Sequence, residues 1–190
     1  KPIGQQIAPL PAERVTTAAC FERVGVDIIG HFNCVDEGIT KKRYCLLFTC
    51  LLSRGSHLEM VLDKSADEVI SGIRRTIARR GKFQFLYYDN AKEFKRSEKE
   101  INSLWKDIDL QKVSHRLSAE GVTFDYNVPR ASHKAGVFER IVGLARRILE
   151  AKMSKDRCTT WELMTLFCSC ELFLNMRPLA RTSESQTENI

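Results

Sequence analysis

The chain has 190 residues, and its 30 Lys and Arg against 24 Asp and Glu give a formal net charge of +6. With 43% hydrophobic and 28% charged residues, the composition is that of a folded domain and excludes an intrinsically disordered chain. No apolar run approaches the ~20 residues of a membrane-spanning helix, and no signal peptide opens the sequence. We therefore expect an intracellular protein with no membrane partner, whose positive charge is compatible with a nucleic-acid partner.

Seven cysteines occur without a C-x-x-C pair, and four histidines are scattered without the spacing of zinc ligands. Most of the cysteines lie in apolar stretches. This pattern predicts buried thiols in a reducing compartment rather than a disulfide framework or a zinc site. The cysteines are Cys20, Cys34, Cys45, Cys50, Cys158, Cys168 and Cys170.

Three segments are predicted. Residues 1–20 contain three prolines without a clear period and are expected to form an extended linker. Residues 21–179 carry the periodic apolar patterns of one folded domain. Residues 180–190 are polar and are expected to form a flexible tail.

The first half of the domain is rich in strand patterns. Apolar runs at 21–32, 43–52 and 57–62 predict three strands, and the polar turn at 53–56 predicts a hairpin between the last two. A capping box follows, with Ser65 as the N-cap and Glu68 reaching back to it. The apolar spacing after it predicts a helix that ends at Gly81.

Strands and helices alternate in the second half. We expect strands at 83–88 and 122–126 and helices at 94–105, 133–153 and 163–175, the last preceded by a capping box of Thr159 and Glu162. Trp105 and Trp161 are both predicted to be core residues. Together the patterns predict an α/β fold, a mixed sheet with helices on both faces.

Three carboxylates are candidates for chemistry. Asp27 interrupts the first apolar strand, a costly position unless the charge is paired or binds a cation. Asp89 follows the fourth strand, where α/β sheets place ligand-binding residues. Glu139 lies in the first turns of the long helix. If the three converge, they suit two Mg²⁺ or Mn²⁺ ions, the clamp that recurs in in-line attack on phosphodiesters.

Each carboxylate also has a structural interpretation. Asp27 and Asp89 are also compatible with roles in turns, and Glu139 with an ion pair to Arg140 or Arg146 on a solvated face. Arg146 lies two turns beyond Glu139, which favours a contact with DNA near the metal ions. For the basic group at 74–82, a solvated charged face is the favoured interpretation, and His133 is favoured as a cap or spectator.

Several linked motifs, in order, resemble the integrase core of LTR retrotransposons, and the order is closest to the BEL/Pao type. The resemblance covers residues 9 to 179. The motifs that carry it are Val26-Asp-Ile-Ile-Gly30, Arg43-Tyr-Cys-Leu-Leu-Phe48, Ser53-Arg-Gly-Ser-His-Leu-Glu59, Arg79-Arg-Gly81, Tyr88-Asp-Asn-Ala-Lys-Glu-Phe94, Pro129-Arg-Ala-Ser-His-Lys-Ala-Gly-Val-Phe-Glu-Arg140 and Glu171-Leu-Phe-Leu-Asn-Met-Arg-Pro-Leu179.

The resemblance implies an RNase H-like fold with a five-stranded sheet and a D,D,E triad at Asp27, Asp89 and Glu139. These residues would be both the catalytic groups and the ligands of Mg²⁺ or Mn²⁺, with two ions when substrate is bound. The implied reaction trims the 3′ ends of element cDNA and joins them to target DNA without a covalent enzyme intermediate. The longer spacing from Asp89 to Glu139 suits the BEL/Pao type, and the extra length at 106–121 is expected to be a loop or an added helix.

The resemblance also implies DNA as the partner, both element ends and target. It implies a homodimer or a higher homo-oligomer, with the helix at 163–175 contributing to the interface. The implied location is the nucleus, reached by way of cytoplasmic particles. The residues predicted to bind nucleic acid are Asn90, His133, Lys134, Arg140, Arg146 and Arg147.

Four positions depart from the family pattern: Ala91 replaces a usual glycine, Lys134-Ala135 replaces an aromatic-glycine pair, and Phe138 stands where tryptophan is common. They motivate an alternative, an inactive RNase H-like module retained for DNA binding or assembly. A third hypothesis is an RNA-cleaving hydrolase, which usually needs a fourth carboxylate that the sequence does not offer.

Overall fold

The computed structural model describes residues 19–88, 104–125, 132–152 and 158–176, with side chains in the third helix described from Arg140 onward. Within these ranges lie five strands and four helices. The strands are β1 (Arg23–Asp36), β2 (Ile39–Cys50), β3 (Ser56–Val61), β4 (Phe85–Tyr88) and β5 (Thr123–Asp125), and the helices are α1 (Ala66–Arg80), α2 (Leu110–Ala119), α3 (Ser132–Lys152) and α4 (Thr160–Met176).

The strands form one mixed sheet in the order β3-β2-β1-β4-β5. β1, β2 and β3 pair antiparallel, whereas β4 runs parallel to β1 and β5 parallel to β4. Helices cover both faces of this sheet. The predicted α/β fold, a mixed five-stranded sheet flanked by helices, is therefore confirmed as an RNase H-like architecture.

Alternation along β1 divides the interior into two cores. Val24, Val26 and Ile28 join a cluster with α1 and α2, whereas Ile29 joins a second cluster with α3 and α4. Successive strand residues point to opposite faces, so each strand supplies both cores at once. The central β1 is buried on both sides for this reason.

β1 extends farther than predicted, to Asp36, and β2 begins at Ile39. The added residues keep their register, with Asn33 opposite Lys42 and Cys34 opposite Lys41. The apolar pattern ends before the hairpin does because, of the residues from Asn33 to Asp36, only Cys34 is buried in a core. Its turn is sharp, with φ of 55° at Glu37 and 78° at Gly38.

The two predicted capping boxes differ in outcome. Thr159 and Glu162 form the full reciprocal pair, with Glu162 N to Thr159 Oγ1 at 3.2 Å and Thr159 N to Glu162 Oε2 at 2.7 Å. At α1 the Ser65 hydroxyl accepts from the Glu68 N–H, as predicted. The predicted second bond, from the Ser65 N–H to the Glu68 side chain, is wrong, because that N–H donates to Asp63 Oδ1. Gly81 ends α1 at φ 92°, as predicted.

Other expectations have mixed outcomes. The segment at 106–121, where a loop or an added helix is expected, contains the helix α2. Trp105 is buried, but the prediction for Trp161 is wrong, since its side chain faces outward and the residue is 72% exposed. All seven cysteines are free thiols: four are buried, Cys158 is partly exposed, and Cys20 and Cys168 are exposed.

Several predicted segments lie outside the described residues. These are the tail at 180–190, all but the last two residues of the linker at 1–20, and most of the helix expected at 94–105. Among the described helices, none has both the length and the apolar character needed to cross a membrane.

Candidate active site

Asp27 is a buried carboxylate in the middle of the central strand. It is 6% exposed, and its Oδ1 accepts a hydrogen bond from the Ile28 N–H at 2.8 Å. Its register partner on β2 is Leu47, which belongs to the core beneath α3 and α4. Asp27 therefore points to the face of the sheet that these two helices cover.

Asp89 lies outside the described residues, but the strand that leads to it is placed. β4 ends at Tyr88, and Tyr88 is the register partner of Val26 on the parallel strand β1. The next residue after Val26 is Asp27, and the next residue after Tyr88 is Asp89. The last described residue before Asp89 therefore lies beside Val26, the residue before Asp27.

Glu139 falls within α3, and its side chain is outside the described part of the structure. The helix itself is fixed by its apolar face, on which Ile141, Val142, Ala145 and Leu149 are buried. These residues pack in the same core as Ile29 and Leu47. The helix that carries Glu139 thus lies on the face of the sheet to which Asp27 points.

The described side chains contain no group of three His, Cys, Asp or Glu that could hold a metal ion. Of the proposed ligands, only the side chain of Asp27 is within that set. Its chemistry fits a hard divalent cation, because a carboxylate buried in an apolar strand gains from a cation that compensates its charge.

The basic residues of α3 are only partly described. Arg140 and Arg147 are exposed and Arg146 is half-buried. The Arg147 Nε donates to the Gly143 carbonyl at 3.3 Å, which holds the guanidinium along its own helix. Asn90 lies outside the described residues, and so do the side chains of His133 and Lys134.

The basic group at 74–82 is largely engaged with carboxylates. Arg75 Nε lies 2.5 Å from Glu59 Oε1, and Arg79 binds Glu59 Oε2 at 2.7 Å. Arg74 pairs with Glu120. The favoured interpretation, a charged face, holds for Arg74, whereas Arg75 and Arg79 anchor α1 to a buried carboxylate on β3.

That carboxylate belongs to an ionic cluster that the sequence reasoning missed. His57 on β3 lies 2.8 Å from Glu171 on α4 through Nδ1 and 3.6 Å from Glu59 through Nε2. Arg80 of α1 binds Glu171 and approaches His57 Nδ1 at 3.3 Å. We call these residues, with Arg75 and Arg79, the edge cluster, because they surround the open edge of the sheet at β3.

The edge cluster shifts the pKa values of its members. Burial opposes charge on both Glu59 and Glu171. At Glu59, hydrogen bonds from His57 and Arg75 nevertheless lower the pKa below its ordinary range. At Glu171, hydrogen bonds from His57 and the Leu58 N–H lower the pKa in the same way. Burial also opposes charge on His57, yet hydrogen bonds to Glu171 and Glu59 raise its pKa. The cluster therefore favours a protonated His57 between two ionised carboxylates.

A signal for this cluster exists in the sequence. His57 and Glu59 alternate with apolar residues on a short strand, so they share one face. Arg75 and Arg79 are spaced four apart on the next helix, so they also share a face. No comparable signal points to Glu171, which comes from a helix on the opposite side of the sheet.

No protein-family model matches the chain, and no curated protein matches it significantly. Solved structures do match. The HTLV-2 integrase catalytic core domain in complex with magnesium, in its dimeric form, is 13% identical with a TM-score of 0.57, over 86% of this chain and 92% of that chain.

Two further structures agree. The catalytic core domain of BIV integrase is 15% identical with a TM-score of 0.56, over 83% of this chain and 85% of that one. A chain of the simian T-cell lymphotropic virus intasome, in complex with the PP2A regulatory subunit B56 gamma, is 12% identical with a TM-score of 0.55, over 97% of this chain and 66% of that one. The chain therefore has the fold of retroviral integrase catalytic cores.

Proposed function

We propose that the chain is the catalytic core of an integrase from an LTR retrotransposon of the BEL/Pao type. It acts as a metal-dependent polynucleotidyl transferase that processes the 3′ ends of element cDNA and joins them to target DNA. One observation carries the proposal: Asp27 is buried on the central strand, beside the strand that leads to Asp89 and on the face covered by the Glu139 helix.

In this proposal Asp27, Asp89 and Glu139 hold Mg²⁺ or Mn²⁺. When bound there, the ions would supply Lewis-acid activation of the attacking oxygen and charge stabilisation of the leaving oxygen in an in-line displacement. The chain's own contribution is positional. The Ile28 N–H holds one oxygen of Asp27, and the two flanking strands fix the backbone on either side.

The proposed DNA surface is the exposed side of α3. Arg140, Arg146 and Arg147 follow Glu139 on that helix, and phosphate contacts position a duplex without reading its sequence. Asn90, His133 and Lys134 complete the proposed set. We expect Arg147→Gln to weaken DNA binding and to lower the slope of affinity against salt by about one charge.

The proposed assembly is a homodimer or a higher homo-oligomer. Two of the matched structures are described as dimeric and trimeric forms of an integrase core. In this chain α4 exposes a set of large apolar side chains, Trp161, Met164, Leu172, Phe173 and Met176. An exposed apolar face of this extent suits a protein interface. The proposed location is the nucleus, where the target DNA is.

The test is strand transfer and nicking on element-end oligonucleotides with Mn²⁺ or Mg²⁺. Asp89→Asn and Asp27→Asn are expected to abolish both reactions. Asp107→Asn is the matched control, because its side chain is 67% exposed and pairs with Lys64 instead of belonging to the proposed ligand set. Full activity in Asp89→Asn would remove the assignment.

The same assay separates the alternatives. Salt-sensitive DNA binding without turnover, even with Mn²⁺, would favour the inactive module that Ala91 and Lys134-Ala135 suggest. Cleavage of an RNA–DNA hybrid in preference to duplex DNA would favour the RNA hydrolase.

A further inference from the structure

Cys34 and Cys158 are brought together near the end of β1, farther along that strand than Asp27. Their Sγ atoms are 3.9 Å apart although the residues are separated by 124 positions in sequence. The backbones form an isolated parallel bridge, in which the Val35 N–H donates to the Cys158 carbonyl at 2.9 Å. This bridge fixes the spacing of the two residues independently of their side-chain rotamers.

The bridge spacing is that of neighbouring strands, about 4.8 Å. Disulfides join residues whose Cα atoms are about 4.4–6.8 Å apart. Closing the gap between the sulfurs therefore needs only rotation about the two side chains and no movement of the backbone.

The two thiols differ in access. Cys34 is fully buried in the core beneath α3 and α4, whereas Cys158 is partly exposed and directly precedes the capping box of α4. A dissolved oxidant therefore reaches Cys158 first. Cys34 is placed to act as the resolving thiol behind it.

We propose that Cys34 and Cys158 are a redox modification site, which forms an intramolecular disulfide when the chain meets a low-molecular-weight disulfide. The bond ties the start of α4 to the end of β1. The proposal stands on the bridge and the paired sulfurs, and it does not depend on the proposed catalytic activity.

The chemistry is two thiol–disulfide exchanges. The Cys158 thiolate attacks one sulfur of the small disulfide, whose S–S bond breaks and releases one small thiolate. The sulfur of Cys34 then loses its proton to solvent and attacks Cys158 Sγ, which releases the second small thiolate. In sum, two protein thiols are oxidised to a disulfide while the small disulfide is reduced to two thiols.

The second exchange is the slow one. Burial, with the nearby Cys158 sulfur, raises the pKa of Cys34 to about 12, so little of it is thiolate near neutral pH. Because the thiolate is the attacking form, closure should accelerate roughly tenfold per pH unit. The mixed disulfide on Cys158 is thus a transient species whose lifetime shortens as the pH rises.

The experiment treats the folded chain with glutathione disulfide and maps the peptides by mass spectrometry. We expect a linked pair of Cys34 and Cys158 peptides and a rise in Tm of roughly 5–10 °C, both reversed by dithiothreitol. Cys158→Ser and Cys34→Ala should lose the link. Cys168→Ser should keep it, because Cys168 is an exposed thiol on α4 that takes no part in the pair.

Three results would overturn the proposal. They are a mixed disulfide on Cys158 that persists at alkaline pH, a link found only between molecules, and a link that appears only after unfolding in urea. Cys34→Ala changes a buried residue and could prevent folding. Cys158 is only partly buried, so Cys158→Ser should still fold and should still show whether the link is lost.

Discussion

The side-chain amide of Asn175 binds the backbone of Ser56 in both directions. Its Oδ1 accepts from the Ser56 N–H at 2.8 Å, and its Nδ2 donates to the Ser56 carbonyl at 2.9 Å. Glu171, one turn earlier on α4, accepts from the Leu58 N–H at 3.0 Å. Side chains of α4 therefore take the place of a neighbouring strand at the open edge of β3.

We expect Asn175→Ala to destabilise the fold by about 1–3 kcal/mol, because it leaves the backbone N–H and the backbone carbonyl of Ser56 without these partners. Urea unfolding measures the change. Cys168→Ser, an exposed position on the same helix, is the control and should stay within about 0.5 kcal/mol of the parent. Equal stability of the two variants would contradict the role given to Asn175.

The edge cluster predicts a definite pH dependence. Glu59 and Glu171 have lowered pKa values, so their contribution to folding stability is fully present above about pH 4.5. It is lost as the pH falls through their pKa values in the folded state. His57 has a raised pKa, so its contribution to folding stability is fully present below pH 6.5. It is lost as the pH rises through the pKa of His57 in the folded state. The cluster thus stabilises the fold most between these limits.

His57→Gln tests this dependence. The groups facing His57 are Glu59 on β3, Glu171 on α4 and Arg80 on α1, so no other described histidine shares the site. We expect the parent to lose stability as pH rises from about 6 to about 8, and the variant to lose less of it. His115→Gln on α2 is the control. Parallel pH profiles for parent and His57→Gln would contradict the prediction.

Gly72 and Gly143 form a matched pair of helical glycines. A Cβ on Gly72 would lie 2.8 Å from Leu46 Cδ1 and from Val61 Cγ1, whereas a Cβ on Gly143 would meet nothing within 4 Å. Alanine gains up to about 1 kcal/mol of helix propensity at either site. At Gly72 this gain is offset by about 1–3 kcal/mol of overpacking. In thermal unfolding, we expect Gly143→Ala to raise Tm and Gly72→Ala to lower it.

Metal binding gives a test of the proposed ligands that does not require turnover. If Asp27 binds Mn²⁺, millimolar Mn²⁺ should raise Tm, since a ligand that binds only the folded state stabilises it. Asp27→Asn should abolish the rise and Asp107→Asn should keep it. Because both variants are measured with and without metal, a loss of intrinsic stability is distinguished from a loss of binding. An equal rise in all three proteins would place the metal elsewhere.

The exposed face of α4 predicts the oligomeric state. We expect sedimentation to show a dimer that Leu172→Glu converts to a monomer, because a charge buried in an apolar interface is costly. Leu172 is 61% exposed, so the variant should leave Tm of the monomer nearly unchanged. Leu62→Glu, at another exposed leucine, is the control and should remain a dimer.

The strands could be predicted because β1 and β2 are apolar on both faces where they cross the two cores. The same reasoning does not reach Asn33 to Asp36, since only Cys34 of these residues is buried and the ribbon there is held mainly by backbone pairing. Trp161 was assigned to the core by helical spacing, but spacing fixes only which residues share a face. It is Leu163 and Phe167 that face inward on α4.

At the candidate site, sequence spacing placed Asp27 on a central strand and Glu139 on a helix, and both placements agree with the structure. The spacing of His57 with Glu59 and of Arg75 with Arg79 signals part of the edge cluster. Its link to Glu171 could not be predicted, because the proximity of α4 to β3 depends on the whole sheet topology. Likewise, the bridge between Cys34 and Cys158 arises from the path of the chain into α4, which no local pattern encodes.

The division of the interior by β1 bears on how such a domain diverges. Val24, Val26 and Ile28 serve one core, while Asp27 faces the other. The helix α2 packs on the side away from Asp27. Substitutions in that layer therefore change the packing behind β1 without touching the face on which the carboxylate lies.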